Sequence, residues 1–135
     1  MHRSKLVAAV IDCQTDDLTA AARFWSEALG RKLDASDDPA AEKYAAVGTG
    51  HEELIVLLQR VPHASRVHLD IETDDIEAEA ARLVALGAKR IKKIKTWWVM
   101  EAPSGHRFCV VRPQRDSAMP ADANKWPSTT PHPAP

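Results

Sequence analysis

The sequence predicts an α+β fold made of two copies of a βαβββ unit. Three observations carry this: one segment occurs twice, a helical period follows each copy, and three strand-like runs follow each helix. The segment Val10–Leu18 (VIDCQTDDL) matches His68–Ile76 (HLDIETDDI) at an offset of 58 residues, sharing Asp-x-x-Thr-Asp-Asp followed by an aliphatic residue. A repeat of this length that occurs only twice indicates a duplicated half-domain and not a solenoid.

Each copy opens on a strand. Leu6–Gln14 and Arg66–Thr73 are apolar and β-branched enough to pair. The helices follow at Thr19–Leu29 and Glu77–Leu86. In the first, Leu18, Ala21, Ala22, Trp25 and Leu29 share one face; in the second, Ile76, Ala80, Leu83 and Val84 do. Aspartates before each helix suit N-caps. Gly30 and Gly87 suit the left-handed position that ends a helix. Strands are then expected at Arg31–Ser36, Tyr44–Gly48 and Leu54–Val61, and again at Lys89–Lys95, Trp97–Ala102 and Arg107–Arg112. Asp37-Asp38-Pro39, Thr49-Gly50 and Pro103-Ser104-Gly105 supply turn chemistry between them. The units span 5–62 and 65–114 within a domain of residues 1–118. A Pro-rich tail, 119–135, is expected to lack regular structure, with Trp126 as an anchor onto the domain surface.

Composition narrows the function classes. The chain has 135 residues, 44% apolar, enough for one ordinary core. A formal charge of -1 gives no case for nucleic-acid or membrane-surface binding. The basic run Lys89, Arg90, Lys92, Lys93, Lys95 reads as a solvated strand guarded against edge pairing. No apolar run approaches a membrane span, and Met1–Lys5 lacks a signal peptide's apolar segment. Cys13 and Cys109 are the only cysteines, outside any CxxC pair, and read as free thiols in a cytoplasmic protein. GxGxxG, P-loop and GxSxG motifs are absent. His51-Glu52 is no zinc-protease pair, because position 55 is Ile55.

Ile11-Asp12, the helix ending Ala22-Arg23-Phe24-Trp25-Ser26-Glu27-Ala28-Leu29-Gly30, Val67–Ile71, and the closing hairpin Ala102–Val111 resemble the glyoxalase/bleomycin-resistance/extradiol-dioxygenase (vicinal oxygen chelate) superfamily, in its glyoxalase-like branch. The resemblance covers residues 5 to 113. It implies half-sheets curled into a cup, helices packed outside, and a small molecule bound within. It also implies four metal-ligand positions in metal-dependent members. These fall on Val10, near Leu57, on His68 and on Cys109, with Gln59 two residues from the second. Only His68 is a standard ligand, and a lone His with a Cys lacks the donors a zinc site needs. No cofactor and no metal residue are therefore expected, a divalent metal being the alternative.

The candidate site residues are weighed against ordinary structural roles. His68 sits mid-strand and, with a reference pKa of about 6.5, suits acid–base work near neutral pH. Asp70 lies two residues on and shares its face; Asp12 is the counterpart in the first copy. Inward carboxylates are costly unless paired or wetted. They would orient His68 or grip a substrate, against the plainer role of bonding nearby backbone N–H groups. Glu72 continues the parity and reads as solvated. Trp97 and Trp98 are adjacent, so one offers an apolar wall to a ligand and the other packs under a helix. Glu101 shares the parity of Trp97. Cys109 reads either as a ligand-facing thiol or as a small buried hydrophobe.

The leading expectation is a glyoxalase-like enzyme of lyase or isomerase type, with His68 and Asp70 catalytic. Asp12, Trp97, Trp98, Glu101 and Cys109 would bind the substrate. The second is a binding protein that sequesters a small molecule without catalysis, favoured by a Trp-lined cup lacking an acid or base. The third is a metal enzyme recruiting Gln59, Glu101 or Gln14. The expected partner is a small-molecule ligand, with a homodimer as an option. Fold alone does not choose among these.

Overall fold

The computed structural model describes residues 1–33, 43–48, 53–115 and 118–127. Its elements run β1 (His2–Cys13), α1 (Leu18–Leu29), β2 (Tyr44–Val47), β3 (Ile55–Arg60), β4 (Arg66–Thr73), α2 (Ile76–Ala85), β5 (Lys89–Ile94), β6 (Trp97–Glu101), β7 (Arg107–Val111) and β8 (Asn124–Trp126). Among the described residues, two helices with parallel and antiparallel strand pairing make the fold α+β and mixed. The chain divides into two compact units, residues 7–70 and residues 1–6 with 71–135.

In the unit 7–70, β1 runs parallel to β3, and β3 runs antiparallel to β2. α1 begins where Asp17 caps it: the Ala20 N–H donates to Asp17 Oδ1 across 3.0 Å, and the Asp17 N–H donates to Thr15 Oγ1 across 3.0 Å. It ends at Gly30, whose φ of 66° is easy only without a Cβ. Leu18 and Ala22 on α1 pack with Cys13, Val47 and Leu58, flanked by Ile11, Trp25, Ala45 and Val56. Ile11, Leu58 and Ala45 are register partners, so this core covers one face of the three strands. Burial pushes the Cys13 thiol pKa up, and the neighbouring Asp12 charge adds to it, so Cys13 behaves as an inert core residue. Leu29, expected on the apolar face, is exposed at the helix end. Of the strand expected at Arg31–Ser36, Leu33 makes an isolated bridge to Val47. Ser36, Asp37-Asp38-Pro39, Thr49-Gly50 and His51-Glu52 lie outside the described residues.

The second unit repeats the capping chemistry. The Ala78 N–H donates to Asp75 Oδ1 across 3.0 Å, and the Asp75 N–H donates to Thr73 Oγ1 across 3.1 Å. α2 packs Ala80 and Leu83 against Met100, Val110 and Ala88, flanked by Trp98, Phe108 and Ile71. β5, β6 and β7 form an antiparallel set with a register shift between Arg90 and Lys92. Lys89–Lys93 are exposed, as the solvated-strand reading expects.

The tail differs from expectation. Asn124–Trp126 form β8, antiparallel to His2–Ser4 at the start of β1. Trp126 is the anchor: its Nε1–H donates to Ser4 Oγ across 2.8 Å, and the Arg82 guanidinium lies 3.9 Å from its ring centre. Arg82 in turn holds the fully buried Glu79 carboxylate with two 2.7 Å hydrogen bonds, and His2 Nε2 lies 2.8 Å from the same group. Burial alone would raise the Glu79 pKa. The hydrogen bonds from Arg82, His2 and Ser4 together outweigh it and hold the carboxyl below its ordinary value.

Candidate functional site

Alternation along the strands leaves a second face in the unit 7–70, turned away from α1. Asp12, Gln59 and Tyr44 are register partners across β1, β3 and β2, so they stand side by side there. Val10, Leu57 and Ala46 form the next row. The row of Asp12 meets β4 at His68. With its proton on Nδ1, His68 donates to Asp12 Oδ2 across 2.7 Å. His68 Nε2 lies 3.4 Å from Asp70 Oδ1. The side chains of Asp12, His68 and Asp70 are 3%, 12% and 13% exposed.

The duplication thus has a local consequence. The aspartate of the first copy sits at one ring nitrogen of His68, and the equivalent aspartate of the second copy sits at the other. The position equivalent to His68 in the first copy is Val10, so one histidine serves two carboxylates. Each carboxylate keeps a buried oxygen, Asp12 Oδ1 and Asp70 Oδ1, with no hydrogen-bond partner among the described residues. Native structures rarely leave such atoms unsatisfied without a functional or ionic reason.

Arg66 was not singled out in the sequence. Its Nε lies 3.9 Å from Asp12 Oδ2, and its side chain is about half exposed. It is a half-exposed cation beside a buried carboxylate, with its guanidinium also 3.3 Å from His63 Nε2. Only its place two residues before His68 hints at this. Gln14 is committed elsewhere, its Nε2 donating to the Pro62 carbonyl across 2.9 Å.

The other candidates lie in the second unit. Trp98 shares the α2 side with Met100, and its Nε1–H donates to Glu77 Oε1 across 3.1 Å. It is therefore the tryptophan of the pair that packs under the helix. Hydrogen bonds from Lys93 and Trp98 hold the Glu77 carboxyl below its ordinary range. Trp97, Val99 and Glu101 take the opposite face of β6, where Val99 pairs with Cys109 and Glu101 with Arg107. Arg107 Nε stands 3.7 Å from Glu101 Oε1, so Glu101 is engaged in an ion pair. Cys109 is a half-buried free thiol. Glu72 is buried and not solvated, and accepts from the Gln114 N–H across 3.2 Å. A separate groove of about 510 Å³ lies at the start of α2, lined by Asp74, Glu77, Lys93, Lys95 and Arg112 among others. It carries both charge signs and none of the expected site residues.

The glyoxalase-like domain model matches residues 8–111. The chain belongs to the glyoxalase-like domain family. Among solved structures, it is similar to an NAD-dependent benzaldehyde dehydrogenase from Legionella pneumophila (12% identity, 78% of this chain and 99% of that one, TM-score 0.59). It is also similar to methylmalonyl-CoA epimerase from Mycobacterium tuberculosis (14%, 81% and 87%, TM-score 0.54) and to hypothetical protein BH1468 from Bacillus halodurans (15%, 84% and 98%, TM-score 0.53). At these identities the likeness shows the fold alone. No curated protein matches in sequence. Among the described residues, no helix is long and apolar enough to cross a membrane.

Proposed function

We propose that this glyoxalase-like protein binds a small metabolite at the Asp12–His68–Asp70 cluster and moves a proton on it, in a lyase- or isomerase-type reaction. The half-sheets would form the family's cup around that ligand. One observation carries the reading: the 2.7 Å hydrogen bond between His68 and the nearly fully buried Asp12. Asp12 fixes the tautomer, so the Nε2 lone pair becomes the working base and its conjugate acid the working donor. A buried carboxylate also stabilises the ring cation formed when that proton is taken. Asp70, beside Nε2, is placed to receive or return the proton or to hold a substrate donor.

The family's metal positions offer a test of fit. The first two fall on Val10 and near Leu57, which are register partners, and both are aliphatic. Neither can donate to a metal, so the usual four-ligand set does not fit, and no step is routed through it.

The test is deuterium exchange. The full chain is incubated in D2O with a panel of 2-hydroxy ketones, 2-oxo acids and 3-oxo acids, and α-proton loss is followed by NMR. Exchange on at least one class, reduced about 100-fold or more in His68→Ala, is expected. Exchange unchanged in that variant would remove His68 from the mechanism. Binding without any exchange would favour sequestration.

A further inference from the structure

We propose that the groove at the start of α2 binds the phosphoryl group of a small phosphorylated metabolite, with Lys95 and Arg112 as its two cationic anchors. The groove shares no residue with the Asp12–His68–Asp70 cluster, so this site goes beyond the proton-transfer reading and stands or falls separately from it.

Matching each charge that lines the groove with its partner supplies the argument. Asp74 accepts from the Arg3 N–H across 2.8 Å, and the Arg3 Nε lies 3.6 Å from its other oxygen. Asp75 caps α2 through the Ala78 N–H, so a carboxylate already occupies the helix end. Glu77 is bonded by both Lys93 and Trp98. The carboxylates are therefore engaged, and so is Lys93. Lys95 and Arg112 remain, both exposed and without an ion pair among the described residues. The unbalanced charge of the groove is positive, and an anion fits it. Lys95 adds a second observation. Its φ of 51° lies in the left-handed region that glycine adopts without strain, so a lysine stands there at a cost to the fold. Backbone strain of this kind gathers where side chains hold ligands. The pair favours a phosphoryl group over a carboxylate. An Arg fork takes two oxygens and a Lys takes another, and a phosphoryl group offers three oxygens and nearly two charges. A volume of about 510 Å³ falls within the roughly 300–1,000 Å³ of small-molecule sites, leaving room for an organic portion against Ile76 and Pro113.

The experiment titrates glycerol 2-phosphate, with acetate as the control, into 15N-labelled full-length protein at constant ionic strength, read by amide chemical shifts. Saturable shifts at Asp74–Glu77, Lys93–Thr96 and Arg112 are expected with the phosphate ester, and binding at least about 10-fold weaker with acetate. Affinity for the ester should fall about 10-fold or more in Lys95→Gly and in Arg112→Gln. It should stay within about 2-fold in Lys92→Gln, which removes a charge from β5 outside the groove. Glycine suits the backbone at position 95, so Lys95→Gly decides the matter if Arg112→Gln unfolds by circular dichroism. Shifts that do not saturate, or equal weakening in all three variants, overturn the site in favour of diffuse attraction to a basic strand. Acetate binding as tightly as the ester overturns the phosphoryl assignment.

Discussion

Exchanging Asp12 for asparagine should move the proton on His68 from one ring nitrogen to the other. In the native protein the Asp12 carboxylate can only accept, so the proton stays on Nδ1. An amide can do either. If its oxygen accepts, its NH2 falls where Asp12 Oδ1 now has no partner, and Asp70 Oδ1 also stays unsatisfied. If its NH2 donates to Nδ1, the proton shifts to Nε2 and points at Asp70 Oδ1, 3.4 Å away, giving that oxygen a donor while the amide oxygen takes the unpartnered place of Asp12 Oδ1. Each unsatisfied buried group costs about 1–3 kcal/mol. Relief of one is worth at least about 1 kcal/mol, or about 5-fold in favour of the Nε2–H tautomer. Long-range 1H–15N correlation spectra on 15N-histidine protein distinguish the tautomers directly. Proton-transfer activity should fall at least about 5-fold, because most of the protein no longer carries the lone pair on Nε2 and the ring cation loses its carboxylate partner. A variant that keeps Nδ1–H, or that loses no activity, would refute the role given to Asp12.

Further tests concern the scaffold. Glu79→Gln should cost about 3 kcal/mol in urea unfolding, since it leaves Arg82 and His2 facing a neutral group in a buried position. The folded-state Glu79 pKa lies below its ordinary 4.5, so its contribution is complete above that pH and drains away as pH falls below it. Stability of the variant should therefore lose less than wild type over that acid range. Lys95 holds a φ of 51° at the β5–β6 turn, and Lys95→Gly should stabilise by about 0.5 kcal/mol in thermal unfolding, relief of strain outweighing added chain entropy. Asp17→Ala should cost about 1 kcal/mol in urea unfolding by uncapping α1.

Much of the local structure was legible because local chemistry decides it. The repeated Thr-Asp-Asp became the same cap twice, at Asp17 and Asp75, and Gly30 ended its helix in the left-handed region. β4 matches its predicted limits, Arg66–Thr73. Pairing across the sheet was not legible. That Asp12 bonds His68 depends on how β1 and β4 approach each other, which the period of a single strand does not specify. Tyr44 joins the row of Asp12 only through the parallel register of β1 with β3. Glu72 follows the parity of His68 and Asp70 but is buried by its bond to Gln114, a residue 42 positions away. β8 was hidden for the same reason: three residues in a Pro-rich stretch have little strand propensity, and the Trp126–Ser4 and Trp126–Arg82 contacts create the strand.

Amide chemical-shift mapping tests the location of the site most directly. The carbonyl compound that undergoes exchange would be titrated into 15N-labelled full-length protein. Saturable shifts centred on Asp12, on Arg66–Asp70, and on Gln59 and Tyr44 are expected. Shifts centred instead on the groove at the start of α2, at Asp74–Glu77, Lys93–Thr96 and Arg112, would place the ligand away from His68 and contradict the assignment.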